Sequence, residues 1–238
     1  LSENVQGVHV VKGFARQQEQ IERFGHDNEA VHDQQHRIFW LTGAIICWAR
    51  SQADPPLLMM AVAAVFLSVL VHELGHATMT RLFGWPSEIV LGFFGGYATT
   101  ARTSTGRNLA VLIAGPGAGF ALAAVAFVAV LALNAQENVP ERVRTALGFL
   151  LFINIAWSLL NLIPVLPLDG GQIAREIMVW FNPRRGEQWA MLLSAVIGAV
   201  TAAAGYFLLD QMFLAIFFGL FAYQNFAGWQ MQRRGGWS

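Results

Sequence analysis

Residues Leu57–Arg81 read LLMMAVAAVFLSVLVHELGHATMTR, an apolar run that passes directly into a cluster of ionisable side chains. From Leu57 to Val71 only Ser68 is polar, and with the residues that follow the segment is long enough for a membrane-crossing helix. Into this helix the sequence places His72-Glu73-Leu74-Gly75-His76. Ionisable groups are costly in hydrocarbon, so a cluster of three marks a functional site with a partner for it. At helical spacing His72 and His76 stand one turn apart on one face, where both imidazoles can reach a single zinc ion, and Glu73 opens the same turn. The ordinary alternative, a solvated polar helix face, is not available inside an apolar segment.

The whole composition agrees with that assignment. The 238 residues are 55% hydrophobic and 13% charged, with mean hydropathy +0.46, values of a polytopic membrane protein and not of a soluble globule. Fifteen Lys and Arg balance fifteen Asp and Glu, so no charge excess points to a nucleic-acid partner. Cys47 is the single cysteine, which excludes an intrachain disulfide. The chain opens on Leu1 with polar residues and no signal-peptide core, so the natural start is expected upstream.

On the N-terminal side of this helix, residues 1–37 are polar and rich in helix formers. The run ENVQGVHVVKGFARQQEQIERFGHDNEAVHDQQHR resembles a cytosolic extension between transmembrane helices of ATP-binding-cassette exporters. A nucleotide-binding half is not implied, because a P-loop needs a Gly-Lys pair and the sole lysine is Lys12. Residues 1–37 are therefore expected to be a fused or adventitious leader, and residues 38–238 a membrane domain. His26, His32 and His36 lie among Asp and Gln and are expected to be solvated.

Ile38–Ala49 is apolar but shorter than the roughly twenty residues of an ordinary span, and crosses only if flanking residues snorkel or the bilayer thins. Ser51–Pro56 reads as a turn. Ser87–Thr105 follows the HELGH helix, with Gly92, Gly95 and Gly96 among Phe93, Phe94 and Tyr97, and predicts a short extended Gly-rich loop. Further spans are expected over Asn108–Asn134, Val143–Val165, Met191–Leu209 and Met212–Gly228, with a short amphipathic helix over Gln172–Phe181. Pro116 should kink the span over Asn108–Asn134, and Gly115, Gly117 and Gly119 should admit a close neighbour. The expected fold class is thus all-α and polytopic, with about six transmembrane helices.

Arginine placement orients them. With six spans and a cytosolic start, only Arg50, Arg142 and Arg144 of the 15 Lys and Arg fall outside, a strong positive-inside bias that places both termini in the cytosol. His72 lies fifteen residues beyond Leu57, about 22 Å into a core about 30 Å thick, nearer the cytosolic side. The helix over Val143–Val165 runs the same way and ends in Pro164-Val-Leu-Pro167-Leu-Asp169-Gly170-Gly171, so Asp169 arrives at the same side. A catalytic zinc usually has three protein ligands, and Asp169 can supply the third. It can equally be a helix N-cap, with Gln172 completing a capping box.

HELGH on an apolar helix, followed by Phe-Gly-Gly-Tyr, Ala-Gly-Pro and Asn161-Leu-Ile-Pro-Val-Leu-Pro-Leu-Asp169-Gly-Gly, resembles the site-2 protease family of intramembrane zinc metalloproteases, in its compact branch without a PDZ insertion. The resemblance covers about Pro55 to Phe226. It implies one Zn2+ held by His72, His76 and Asp169, with Glu73 as general base. It also implies a substrate-binding role for Gly95 and Gly96 and places Asn161 in an asparagine-proline motif beside the active site. The implied activity is hydrolysis of peptide bonds in or near transmembrane segments of membrane-protein substrates, within a lipid bilayer, most naturally a prokaryotic cell membrane. The alternative from another class is a non-catalytic multipass scaffold with a structural zinc, which requires a fourth protein ligand. Neither the substrate nor the oligomeric state follows from the sequence.

Overall fold

A computed structural model of the chain describes residues 55–84, 104–134, 136 and 138–235. Its elements in order are α1 (Pro55–Leu82), α2 (Thr105–Asn134), α3 (Glu141–Asn161), α4 (Asp169–Phe181), α5 (Gly186–Phe207) and α6 (Met212–Gly235), and no strand occurs among the described residues. All but α4 are long and apolar enough to cross a membrane. Large apolar side chains such as Val125, Val128, Phe152 and Val200 are more than half exposed, which suits a lipid environment and not water. The described part is that of an integral membrane protein. The leader over residues 1–37, the short segment Ile38–Ala49 and the glycines Gly95 and Gly96 lie outside the described residues.

Helix boundaries differ from the expected ones for identifiable reasons. Pro55 and Pro56 begin α1 and are not part of a preceding turn; at a helix start the missing N–H is no loss. α3 stops at Asn161, four residues short of the expected end, because the chain turns at Leu162–Ile163 ahead of Pro164. α4 begins at Asp169, so Gly170 and Gly171 are helical instead of breaking. A Cβ on Gly170 would collide with the Leu162 carbonyl and one on Gly171 with the backbone of Val165 and Leu166, so these glycines serve a chain folding back on itself. α5 starts at Gly186, adding a polar first turn with Glu187. The joint before α6 is tight as expected, with Asp210 at φ 51° and Gln211 N–H donating to the Gly205 carbonyl at 2.8 Å.

The helices pack in two groups. α1, α2 and α3 pack on one another, α5 and α6 form an extensive pair, and α4 bridges them by packing on both α2 and α5. Close approach of α1 to α2 depends on small residues. A Cβ on Gly75 of α1 would overlap the Ala114 carbonyl, and one on Gly119 of α2 would overlap the Ser158 hydroxyl of α3. The expectation of close approach thus holds at Gly115 and Gly119, whereas Gly117 faces open space. α2 stays a single helix through Pro116. A polar link ties α1 to α3: Asn154 Nδ2 donates to Ser68 Oγ at 2.9 Å and to the Leu150 carbonyl at 2.8 Å, while Ser68 Oγ donates to the Ala64 carbonyl at 2.7 Å.

Between α3 and α4 the chain is irregular, and the bundle surrounds it. Val165 and Leu168 are buried against Phe217, Phe218 and Phe221 of α6, with Leu160 and Ile163 at the edge of the cluster. Burying irregular backbone among helices is the condition for tolerating it at membrane depth.

Candidate metal centre

Two elements bring the site together. α1 presents His72 and His76 one turn apart, and the first residue of α4 presents Asp169. His72 Nε2 lies 3.2 Å from His76 Nε2. Asp169 Oδ2 lies 3.1 Å from His72 Nε2 and 3.5 Å from His76 Nε2. His72 and Asp169 are buried, at 3% and 8% exposure, and His76 is partly buried. His72, His76 and Asp169 form the one His/Cys/Asp/Glu group of metal-binding geometry among the described residues.

The donor set fits a zinc ion. Bonds of about 2.0–2.1 Å at tetrahedral angles separate ligand atoms by roughly 3.3–3.4 Å, close to the three separations found here. Hydrogen bonding points the same way. His76 Nδ1 sits 2.8 Å from the Val111 carbonyl of α2, a contact that requires the proton on Nδ1 and, in the neutral imidazole that binds metal, leaves the Nε2 lone pair facing Asp169. Asp169 Oδ2 is buried, with His72 Nε2 at 3.1 Å and His76 Nε2 at 3.5 Å as its near polar neighbours. A lone pair and a carboxylate oxygen facing each other in a buried site call for a cation between them.

The surroundings hold the imidazoles in place. Gly115 of α2 lies against the His76 ring with no room for a Cβ, one helical turn beyond the Val111 carbonyl that the same ring bonds. Trp157 of α3 meets the His72 ring edge-on, centroids 6.3 Å apart, and the two imidazoles are near perpendicular at 82°. The backbone of α1 continues past the site with Thr80 Oγ1 donating to the His76 carbonyl at 2.8 Å.

The capping alternative for Asp169 is not what the geometry displays. The N-cap of α4 is Leu168 and no side chain caps the helix. Gln172 Nε2 donates to the Pro167 carbonyl at 3.1 Å and so does not form a capping box with Asp169. Asp169 is instead the first helical residue, and its carboxylate turns across to α1.

Glu73 is partly buried beside His72 and lies in the electrostatic field of His76, His72 and Asp169. Asn161 is buried at the end of α3 and donates from Nδ2 to the Trp157 carbonyl at 3.0 Å, one turn back in its own helix. Gly115 carries more of the site than its expected packing role, since it is the wall behind a particular ring as well as a spacer between helices. Ser194 and Asn225 hydrogen-bond Leu166 in the loop ahead of Asp169; the sequence does not single them out, although polar residues inside apolar spans are the available signal.

The family model described as Peptidase family M50 matches residues 60–142 and 133–204, together more than half of the chain. Among curated relatives, a Synechocystis protein provisionally named a zinc metalloprotease is 37% identical over 125 residues, covering 51% of this chain and 32% of its own length. A zinc metalloprotease of Methanocaldococcus jannaschii is 32% identical over 115 residues, covering 48% of this chain and 33% of its own. The chain thus spans about a third of the length of these relatives. Among solved structures, a site-2 protease from Methanocaldococcus jannaschii superposes with a TM-score of 0.56 at 24% identity, covering 80% of this chain and 87% of that one, a likeness of fold.

Proposed function

The chain belongs to peptidase family M50, and from that premise we propose that it is an intramembrane zinc metalloprotease that hydrolyses peptide bonds in or near the transmembrane segments of membrane proteins. One observation supports this above the others: two imidazole nitrogens and a carboxylate oxygen, from elements far apart in sequence, converge at tetrahedral-edge distances inside an apolar helical bundle. In this reading His72, His76 and Asp169 hold one Zn2+. When bound, the ion polarises the scissile carbonyl and acidifies water.

The chain's own residues do the rest. Glu73, adjacent to His72, takes a proton from the attacking water on its carboxylate and passes it to the departing amide nitrogen. Its partly buried position keeps it out of bulk solvent while leaving one side accessible. Val111 fixes the His76 tautomer, and Gly115 and Trp157 fix the ring planes. A substrate helix must unwind before cleavage, since its amides are engaged in intrahelical hydrogen bonds. Gly95 and Gly96 would pair with the unwound strand by β-addition, and Asn161 would line the path beside the centre. The domain comprises residues 38–238, with residues 1–37 as a separate leader, both termini cytosolic and the host a prokaryotic cell membrane.

The scaffold alternative, with a structural zinc, needs a fourth protein ligand. Among the described residues the cluster has three members, which favours the catalytic reading. The test is co-expression with candidate single-span membrane proteins, comparing wild type with Glu73→Gln. Fragments formed by wild type and absent with the variant support a protease; identical fragment patterns from both would remove the catalytic role of Glu73.

A further inference from the structure

We propose that Ser194 of α5 and Asn225 of α6 are positioning residues that fix the Asp169 carboxylate by gripping both backbone polar groups of Leu166. The inference rests on the metal-site reading above and extends it to two helices that contribute no ligand. The Leu166 N–H donates to Ser194 Oγ at 3.0 Å. The Leu166 carbonyl accepts from Asn225 Nδ2 at 2.8 Å. Asn225 Nδ2 also donates to the Phe221 carbonyl one turn back at 2.8 Å, which orients the amide. Ser194 is buried, at 1% exposure.

Around Leu166 the backbone largely satisfies itself. Ile163 N–H donates to the Leu160 carbonyl, Val165 N–H to the Ile163 carbonyl, Leu168 N–H to the Val165 carbonyl and Gln172 N–H to the Leu168 carbonyl. Leu166 instead takes its partners from two other helices. Its peptide groups lie at membrane depth, where an unmet donor or acceptor is expensive, so the segment has a strong preference for the one place where both partners are in reach.

That place determines where Asp169 goes. Pro167 restricts the backbone after Leu166. Leu168 is locked between the turn to Val165 and the aromatic cluster of Phe217, Phe218 and Phe221. Asp169 follows directly as the first residue of α4, so little freedom remains between the gripped peptide and the carboxylate. Phe218, Phe221 and Asn225 succeed one another along one face of α6, so a single helix face supplies both the apolar seat and the polar grip. Metal ligands must be held within a few tenths of an ångström, and groups that orient ligands change affinity by about tenfold to a hundredfold when removed.

A purely structural role for the two bonds predicts something else: lost stability with unchanged affinity of the folded protein for metal. Gly198→Ala separates the two roles. Gly198 lies one turn beyond Ser194 on α5, and the nearest atoms a Cβ there would meet belong to Ala222 of α6, at 3.2–3.3 Å. The experiment measures zinc affinity by competition with a chelator, together with thermal stability, for purified full-length wild type, Ser194→Ala, Asn225→Leu and Gly198→Ala. The expected result is zinc affinity about tenfold weaker in Ser194→Ala and Asn225→Leu, at wild-type affinity in Gly198→Ala, with comparable stability losses. Wild-type affinity in the first two, or equal weakening in Gly198→Ala, overturns the positioning role. Should Asn225→Leu fail to fold, Ser194→Ala decides alone, since it removes one atom from a helix that is otherwise untouched. Wild type that takes up no zinc would instead bring down the metal-site reading, and the positioning role with it.

Discussion

Gly115 of α2 lies so close to the imidazole of His76 that a Cβ at position 115 would overlap Nε2, the nitrogen that faces Asp169. Gly115→Ala must therefore displace either the ring or the helix. Displacing the ring breaks its Nδ1 contact with the Val111 carbonyl as well. The expected outcome is a folded, membrane-inserted protein whose zinc content falls at least tenfold, measured by elemental analysis of the purified protein. Gly117→Ala, where a Cβ meets nothing, should keep wild-type zinc and serves as the matched comparison.

Glu73 is assigned proton transfer and not metal binding. Glu73→Gln should abolish substrate cleavage while zinc stoichiometry stays at the wild-type value. Metal analysis and a cleavage assay on the same preparation check this. Zinc lost along with activity would make Glu73 a ligand.

Asn154 links α3 to α1 through Ser68, one helical turn before His72. Interhelical hydrogen bonds in membranes contribute modestly, so Asn154→Ala should cost about 1 kcal/mol of stability, seen as a lower unfolding midpoint in detergent. Ser68 Oγ keeps its bond to the Ala64 carbonyl in the variant, which limits the loss. A loss several times larger would mean that the link organises the three-helix group and does more than fasten it.

How far the sequence carries is clear at particular residues. HELGH in an apolar helix has a one-turn spacing that local geometry turns directly into a shared face, and α1 displays it as expected. The five spans among the described residues are legible because about twenty apolar residues in succession have few other stable states. The ends are not: Gly170 and Gly171 look like breakers, and only the overlying Leu162 and Val165 backbone reveals why glycine is required inside α4. Cap and ligand were equally good readings of Asp169, because choosing between them needs the position of α1 relative to α4, which is a tertiary fact. The partner of Ser194 and Asn225 is hidden for the same reason, Leu166 being 28 and 59 residues away.

The proposal that residues 1–37 are a separate leader makes its own prediction. None of the site residues belongs to residues 1–37, so deleting them should leave zinc binding and proteolysis intact. A deletion protein that inserts normally and binds zinc but does not cut would show the leader to be an integral regulatory element.

The central claim is that Asp169 completes a three-ligand centre with His72 and His76, and Asp169→Asn tests it most directly. The substitution preserves shape, and since no side chain caps α4, it removes no capping hydrogen bond. A neutral amide is a far poorer zinc ligand than a carboxylate. Zinc content and turnover of purified Asp169→Asn should both fall sharply while the protein remains folded and inserted. A full equivalent of zinc with wild-type turnover in that variant would contradict the account.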